Sequence, residues 1–232
     1  MWTNRVVIIL LTITMALQAV ILYRQHGGSD AAPPPPPAVR DAPKGLAFEL
    51  TGLPIEGADD ARTVLVEFSD YECPFCARHA NSVLGELRQK FVSTGKIKYA
   101  FANNPLSIHS NAQLLATAAI CAGEQGQYWK VHDSLFRTQS KTKADLVSLV
   151  RTLSLDSGKF QRCLDESPEP AKQIERDMQK AQEFQLTATP GFALGQVDSQ
   201  GRVAIQKLIV GAQPLTVFET AINEVLAKKT TS

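Results

Sequence analysis

Residues 64–76 read Val-Leu-Val-Glu-Phe-Ser-Asp-Tyr-Glu-Cys-Pro-Phe-Cys, a hydrophobic run that ends in a Cys-x-x-Cys pair. The run from Thr63 to Phe68 is apolar and rich in β-branched residues, which predicts a buried strand. A helical pattern begins at Ala77, and apolar residues recur at helical spacing between Val83 and Phe91. The two cysteines therefore lie where a strand gives way to a helix, and this placement suggests redox chemistry.

Cys73 is the expected nucleophile of this pair. Pro74 occupies the first helical position, where the N–H group that proline lacks would have no partner in the helix. The unpaired backbone amides and the positive end of the helix dipole favour a thiolate at Cys73. Cys76 lies one turn further on and can attack a mixed disulfide on Cys73, which releases the bound partner.

The composition is that of a globular protein with one main domain. The chain has 232 residues, of which 44% are hydrophobic and 20% are charged. Its net charge of +1 and its lack of a basic cluster argue against nucleic-acid binding. A zinc site near Cys73 would need further ligands, and no second Cys-x-x-Cys or paired histidine supplies them. We therefore expect neither a metal nor a cofactor.

The amino terminus carries a possible membrane segment. Val6–Tyr23 is an uncharged stretch of 18 residues between Arg5 and Arg24, just long enough to span a bilayer. A cleavable signal is the alternative, but Leu17 stands where a cleavage site prefers a small residue. We therefore assign residues 1–24 to a cytoplasmic tip and a transmembrane anchor, or to a signal, and expect the remainder to be exported.

A proline-rich linker follows this segment. Residues 25–45 contain Gly27-Gly28-Ser29 and five consecutive prolines at 33–37, a composition that cannot form a core. The linker either extends as a semi-rigid polyproline stalk or is a disordered tail with no spacing role. The folded domain is assigned to residues 46–232.

The order of elements predicts an α/β domain with a helical insertion. Phe48–Leu50 is predicted as a short first strand. The strand at Thr63–Phe68, the cysteine helix and a strand at Lys96–Phe101 then give a β-α-β arrangement with a parallel pair. A block of helices then fills residues 107–184 or so. The helices are predicted at Asn111–Ala122, Tyr128–Arg137, Lys143–Leu153, Ser157–Asp165 and Ala171–Phe184. A hairpin of Gly191–Leu194 and Val203–Val210 and a helix after Pro214 complete the chain.

This order resembles the thioredoxin fold, here with an inserted all-helical subdomain. Residues 67–76, Glu-Phe-Ser-Asp-Tyr-Glu-Cys-Pro-Phe-Cys, closely resemble the DsbA-like thiol:disulfide oxidoreductases. Residues 118–129, Ala-Ala-Ile-Cys-Ala-Gly-Glu-Gln-Gly-Gln-Tyr-Trp, and Thr189-Pro190 before the hairpin match the same family. The resemblance covers residues 48–228 or so.

The resemblance implies roles for further residues. Pro190 is expected to be a cis-proline that faces the cysteines, and Thr189 to offer backbone hydrogen bonds to an extended substrate peptide. Glu67 takes the place of a buried acidic residue beneath the disulfide, where it would accept the proton of Cys76. The alternative for Glu67 is an exposed position at a sheet edge, with no role in the chemistry.

The sequence departs from the family at two positions beside the cysteines. Phe75, which we assign to the substrate-binding surface, stands where the family has a charge-tuning histidine. Less stabilisation of the thiolate is expected, and hence a less strongly oxidising pair. Gly191 follows the proline in place of a bulkier residue, so we expect a looser contact with the substrate.

The other histidines and aromatic residues are given no chemistry. His79 is expected on a partly exposed helix surface, and His109 in the capping region of a helix. Trp129, His132 and Phe136 lie at helical spacing and should pack the insertion against the core.

The remaining cysteines, Cys121 and Cys163, both fall in the helical block. An oxidising compartment favours a structural disulfide between them. Two buried free thiols are the alternative, because helical geometry could hold the cysteines too far apart to bond.

The resemblance, together with the predicted anchor at Val6–Tyr23, implies a membrane-anchored, extracytoplasmic oxidoreductase that exchanges disulfides with exported proteins. Its partners would be thiol- or disulfide-containing substrates and a membrane redox protein that recycles the cysteine pair. A reductase or an isomerase would use the same two cysteines, and a peptide-binding chaperone without turnover is a further alternative.

Overall fold

The computed structural model describes Met15, Leu17 and Gln18 together with residues 38–138 and 142–228. Apart from those three residues, the predicted anchor at Val6–Tyr23 lies outside the described residues, as does the proline run at 33–37. Within the described part of the chain, no helix combines the length and the apolar character needed to cross a membrane.

A seven-stranded mixed sheet forms the centre of the domain. Its strands are β1 (Val39–Asp41), β2 (Ala47–Phe48), β3 (Ile55–Glu56), β4 (Thr63–Ser69), β5 (Ile97–Asn103), β6 (Gly191–Val197) and β7 (Val203–Val210). The order across the sheet is β1-β7-β6-β4-β5-β3, and β2 also pairs with β7. As predicted, β4 and β5 are parallel and β6 and β7 form an antiparallel hairpin.

Helices cover both faces of this sheet. They are α1 (Pro74–Ser82), α2 (Leu84–Leu87), α3 (Ala112–Gly123), α4 (Tyr128–Arg137), α5 (Lys143–Thr152), α6 (Ser157–Glu166), α7 (Glu169–Glu183) and α8 (Leu215–Ala227). Helices α3 to α7 form the predicted insertion between β5 and β6. Trp129, His132 and Phe136 pack in its aromatic core, as expected.

Strand β4 is buried on both faces, which explains its unbroken apolar sequence. Val66 and Phe68 point to a cluster that includes Phe184, the C-cap residue of α7. Leu65 points to the opposite face, toward a cluster that includes Phe218 of α8. Because side chains alternate along a strand, Glu67 shares the face of Leu65 and enters the apolar layer under α1 and α8.

Three short edge strands differ from the prediction. Strand β1 lies inside the segment assigned to the linker, and β2 is one residue earlier and shorter than predicted. Strand β3 lies between two predicted strands, where no strand was predicted. Strands of two or three residues are too short to show an alternating pattern. They form because β7 and β5 offer unpaired backbone groups at the edges of the sheet.

The helix that follows the cysteines is not continuous. The pattern predicted one helix to about Lys90, but α1 ends at Ser82, and the φ of −122° at the C-cap residue Val83 leaves the helical region. Helix α2 and a π-helical turn at Arg88–Val92 complete the segment. The break allows Leu84 and Leu87 of α2 and Phe91 of the π-helical turn to enter the core.

A disulfide bond joins Cys121 of α3 to Cys163 of α6. The two helices therefore bring the sulfur atoms within bonding distance, and the alternative of two free thiols does not hold in this structure. The bond is a covalent link between two helices of the insertion.

Candidate active site

The candidate site lies at the carboxyl end of the parallel pair β4 and β5. The amide of Asn104, after β5, donates a hydrogen bond of 2.8 Å to the carbonyl of Ser69 at the end of β4. This contact brings the loop with both cysteines against the loop at residues 104–111. Loops at the carboxyl ends of parallel strands are a common place for binding sites in α/β sheets.

Cys73 is the N-cap residue of α1, and Pro74 begins the helix as the sequence predicts. The two cysteines are free thiols, so the structure shows the reduced pair. Hydrogen bonding from the Cys76 side chain is the main cause that lowers the pKa of Cys73 to about 5. Hydrogen bonds from the backbone amides of Cys76 and Phe75 act in the same direction, while burial opposes them.

Cys76 has the opposite environment. Its side chain is fully buried, and this burial raises the pKa of the thiol above its ordinary value. The hydrogen bond to Cys73 and the charge of Glu67 raise the Cys76 pKa further. The pair therefore divides into one group that ionises easily and one that holds its proton, as a nucleophile and a resolving thiol require.

The Thr189–Pro190 peptide bond is cis and lies against the cysteines. The Cys73 thiol donates to the carbonyl of Thr189 at 3.4 Å. Packing explains the glycine at position 191, because a Cβ there would come within 3.1 Å of the Leu186 side chain. Leu186 thus fills the space that a bulkier residue at 191 would need, and the looser substrate contact expected at Gly191 stays a prediction.

Glu67 is buried, with 1% of its surface exposed, so the alternative of an exposed edge position is wrong. The hydroxyl of Tyr99, on β5, donates a short hydrogen bond to its Oε2 atom. The carboxylate acts electrostatically on Cys76, which lies on the same side of the sheet.

His79 lies beside this carboxylate, and its predicted partial exposure is wrong. The side chain has 0% exposure, and its Nε2 lies 3.6 Å from Oε2 of Glu67. Phe192 of β6 and Phe218 of α8 enclose the ring, with centroid distances of 4.7 and 5.1 Å. Sequence spacing alone did not show which face of α1 these distant elements would cover.

Two carboxylates hold the cysteine loop in place. Asp70 is buried and accepts hydrogen bonds from the amides of Glu72 and Leu106, each at 2.8 Å. It also pairs with Nδ1 of His109 at 2.7 Å, so His109, two residues before the N-terminal cap of α3, connects two loops. Glu72 accepts from the amide of Asn111, the N-cap residue of α3. The polar cluster in residues 70–72 was the only sequence signal for this network.

Tyr71 connects the same loop to the helical insertion. Its hydroxyl hydrogen-bonds to the Tyr128 hydroxyl at 3.1 Å and to Nδ1 of His132 at 3.0 Å, both from α4. Its ring stacks on Phe101 of β5. Burial keeps the pKa of Tyr71 well above its usual value and that of His132 well below, so both groups are neutral.

The surroundings of the cysteines expose apolar side chains. Phe75 is 54% exposed and Ile108 is 80% exposed. A separate cavity of about 630 Å³, whose lining does not include the cysteines, lies along α7 and the loop before the cis-proline and is lined in part by Met178, Leu186 and Thr187. Within the residues that the structure covers, no cluster of histidine, cysteine and acidic side chains could hold a metal ion.

Comparison with known proteins decides the family. The family model described as Thioredoxin matches residues 51–209. The chain belongs to the thioredoxin family. This result confirms the predicted thioredoxin-like α/β fold.

Similar thioredoxin-family proteins include Disulfide bond formation protein D of Bacillus subtilis. The two are 29% identical over 150 residues, which cover 61% of this chain and 67% of that protein. The crystal structure of oxidised BdbD from Bacillus subtilis has a TM-score of 0.68 and 23% sequence identity. It covers 82% of this chain and 100% of the BdbD chain, so the DsbA-like fold predicted from the sequence is confirmed.

A second group of relatives consists of longer proteins. The Na(+)/H(+) antiporter NhaA 3 of Salinispora tropica is 30% identical over 169 residues, which cover 72% of this chain. The match spans 25% of the antiporter, so this thioredoxin-family chain corresponds to about a quarter of that relative.

Proposed function

We propose that this protein is a membrane-anchored, extracytoplasmic thiol:disulfide oxidoreductase that oxidises cysteine pairs in exported proteins. Cys73 is the nucleophile and Cys76 the resolving cysteine. The observation that carries the proposal is the asymmetric pair itself: Cys73 is at a helix N-terminus against the cis-proline loop, and Cys76 is buried behind it. The relationship to Disulfide bond formation protein D supports the same chemistry.

The proposed reaction begins with the oxidised pair. A substrate thiolate attacks Sγ of Cys73, forms a substrate–Cys73 disulfide and breaks the Cys73–Cys76 bond. Cys76 leaves as a thiolate and takes up a proton. A second thiolate of the substrate then attacks the substrate sulfur that is bonded to Cys73. This attack forms the substrate disulfide and releases Cys73 as a thiolate. The substrate loses two electrons and the enzyme pair gains them.

The environment of Cys73 favours this direction of exchange. A thiolate that the protein stabilises is a good leaving group, and it makes the reduced enzyme the more stable form. The pKa of Cys73, lowered to about 5, supports oxidation of substrates rather than their reduction. A redox protein in the membrane is then needed to accept the two electrons from the reduced pair.

The substrate is proposed to bind as an extended segment along the cis-proline loop. The backbone of Thr189 would pair with the substrate chain, and the exposed ring of Phe75 would contact its apolar side chains. The separate cavity beside Leu186 and Met178 offers further apolar surface. These contacts ask only for an unfolded, partly apolar peptide, which suits an enzyme that acts on many newly exported chains.

Single cysteine variants test the mechanism. Cys73→Ser should abolish oxidation of a reduced two-cysteine peptide, whereas Cys76→Ser should accumulate mixed disulfides that non-reducing electrophoresis detects. Normal turnover by Cys73→Ser would contradict the proposal. Activity that survives the loss of both cysteines would instead support a peptide-binding chaperone.

Thiol trapping in cells tests the direction of exchange. The Cys73–Cys76 pair of an oxidase should be mostly oxidised at steady state. A mostly reduced pair would point to a reductase or an isomerase.

The membrane anchor rests on the uncharged stretch Val6–Tyr23, and the proline-rich segment at 25–37 would hold the domain away from the bilayer. In a membrane fraction, the full chain should resist alkaline extraction, and external protease should reach the domain in spheroplasts. Release by alkaline carbonate, or protection from protease in intact spheroplasts, would contradict the anchored and exported arrangement.

A further inference from the structure

A buried acid–imidazole pair lies beneath the resolving cysteine. Glu67 on β4 has 1% of its surface exposed and His79 on α1 has 0%. The Nε2 atom of His79 and the Oε2 atom of Glu67 are 3.6 Å apart. Cys76 and His79 are three residues apart on α1, so they share the helix face that is turned toward the carboxylate.

The polar atoms of this pair are incompletely hydrogen-bonded. Among the described residues, neither ring nitrogen of His79 has a hydrogen-bond partner, nor does Oε1 of Glu67. Leaving a buried polar atom without a partner destabilises the folded state. A histidine that served only for packing would be replaced by an apolar side chain without this cost, because Phe192 and Phe218 enclose its ring. The arrangement is better explained by a proton that moves within the pair.

The neighbouring groups do not compete for that proton. Tyr99 of β5 donates to Glu67, and Tyr71 and Tyr128 lie further along the same layer. Burial raises the pKa of all three tyrosines, so they stay neutral. His132 of α4 is also neutral, because burial and the charge of Arg88 lower its pKa.

The electrostatics of His79 differ from those of His132. Burial lowers the pKa of His79, but the carboxylate of Glu67 raises it and partly offsets that effect. His79 is therefore the imidazole whose protonation depends on Glu67, and Glu67 is the carboxylate that acts on the Cys76 thiol.

We propose that His79 is a positioning residue that shares with Glu67 the proton exchanged by Cys76, a role that rests on the function proposed above. When a substrate thiolate opens the disulfide, Cys76 leaves as a thiolate and receives this proton through the Glu67 carboxyl group. On recycling, the Cys76 S–H bond breaks, the proton returns to Glu67 and passes to Nε2 of His79. Cys76 then attacks Sγ of Cys73 in its mixed disulfide with the recycling protein, whose cysteine leaves as a thiolate.

The kinetic test uses the full chain in its reduced form and oxidised glutathione as the probe. Cys73 first forms a mixed disulfide with glutathione, and Cys76 then displaces the glutathione in an intramolecular step. We expect His79→Gln to slow this second step about tenfold at neutral pH and to move its pH profile upward by about one unit, the size of a lost charge interaction. His132→Gln, which removes another buried histidine, should not shift the pH profile of this second step.

The double variant shows whether His79 acts through Glu67. Glu67→Gln alone should slow the second step, and adding His79→Gln should slow it no further. Equal pH profiles for the wild type and His79→Gln, or fully additive losses in the double variant, would overturn the proposal. A purely structural role of His79 would lower thermal stability without moving the profile.

A measurement that needs no histidine variant covers the case in which His79→Gln does not fold. The imidazole resonances of His79 are followed by NMR as a function of pH in the wild type and in Glu67→Gln. The midpoint should fall when Glu67 loses its charge, and an unchanged midpoint would overturn the inference. Coupled titration in a protein that fails to oxidise peptides would refute the proposed function alone, whereas normal oxidation with uncoupled titration would refute only the role of His79.

Discussion

The ionisation of Cys73 gives the sharpest quantitative prediction. Its pKa is lowered from 9.0 to about 5. At pH 6 about 90% of Cys73 should then be thiolate, against about 0.1% of a thiol with a pKa of 9, a gain of about 900-fold. A less basic thiolate is also a weaker nucleophile, and a Brønsted coefficient of 0.4–0.5 costs about 60-fold over four pKa units. The net expectation is alkylation about 15-fold faster than that of an ordinary thiol at pH 6.

The assay is alkylation of the reduced protein by iodoacetamide from acid to alkaline pH, with the modified cysteine identified by mass spectrometry. The rate at Cys73 should rise to a plateau with a midpoint near pH 5. Because the Cys76 side chain is the main cause of the low pKa, Cys76→Ala should move the midpoint toward that of an ordinary thiol. Cys76→Ser retains a hydrogen-bond donor and should lie between the two.

The pH dependence of the alkylation rate distinguishes a thiol with a lowered pKa from a thiol that is merely accessible. An unperturbed thiol would react slowly at pH 6 and continue to gain rate up to about pH 9. A Cys73 midpoint above about pH 8, or a midpoint that Cys76→Ala leaves unchanged, would refute the reasoning.

Three further predictions concern stability. Replacing Cys121 and Cys163 with alanine opens a loop with a sequence separation of 42, so the free energy of unfolding in denaturant should fall by about 4 kcal/mol; no change would contradict the chain-entropy estimate. Gly195→Ala should cost about 3 kcal/mol, because its Cβ would collide with a backbone carbonyl of β7. The control Gly85→Ala has open space around it and should be neutral or slightly stabilising in the same thermal melts. Burial raises the pKa of Asp177 from 3.8 to about 7, so the folded state keeps a proton that the unfolded chain loses and stability should fall between these pH values. Asp177→Asn should abolish that fall, and an equal slope in both proteins would contradict it.

The central part of the fold could be predicted because it is encoded locally. The apolar run of β4, the proline after Cys73 and the helical spacing beyond it all lie within about thirty residues. The position of His79 could not be predicted in this way. Its burial depends on Phe192 and Phe218, which are more than 100 residues away along the chain and meet it only after the sheet and α8 have assembled. The contact of His109 with Asp70 could not be predicted for a similar reason, since Asp70 belongs to the neighbouring loop.

The lowered pKa of Cys73 also could not be predicted from the sequence pattern. The absence of a histidine between the cysteines predicts less stabilisation of the thiolate. In the folded protein, hydrogen bonding from Cys76 and from backbone amides of α1 lowers the Cys73 pKa without that histidine. Backbone groups are present in every sequence, and only the geometry of the turn directs them at one sulfur atom.

The short strands at the two edges of the sheet have a consequence for a protein that handles unfolded chains. Strands β1 and β2 pair with five residues of β7, and β3 pairs with β5 at the opposite edge. An exposed edge would invite a substrate to join the sheet as an additional strand, which is a route to aggregation. Because the protein's own short strands pair with both edges of the sheet, an unfolded substrate finds fewer unpaired backbone N–H and C=O groups there. This arrangement favours brief encounters at the cis-proline loop, from which an oxidised client can depart.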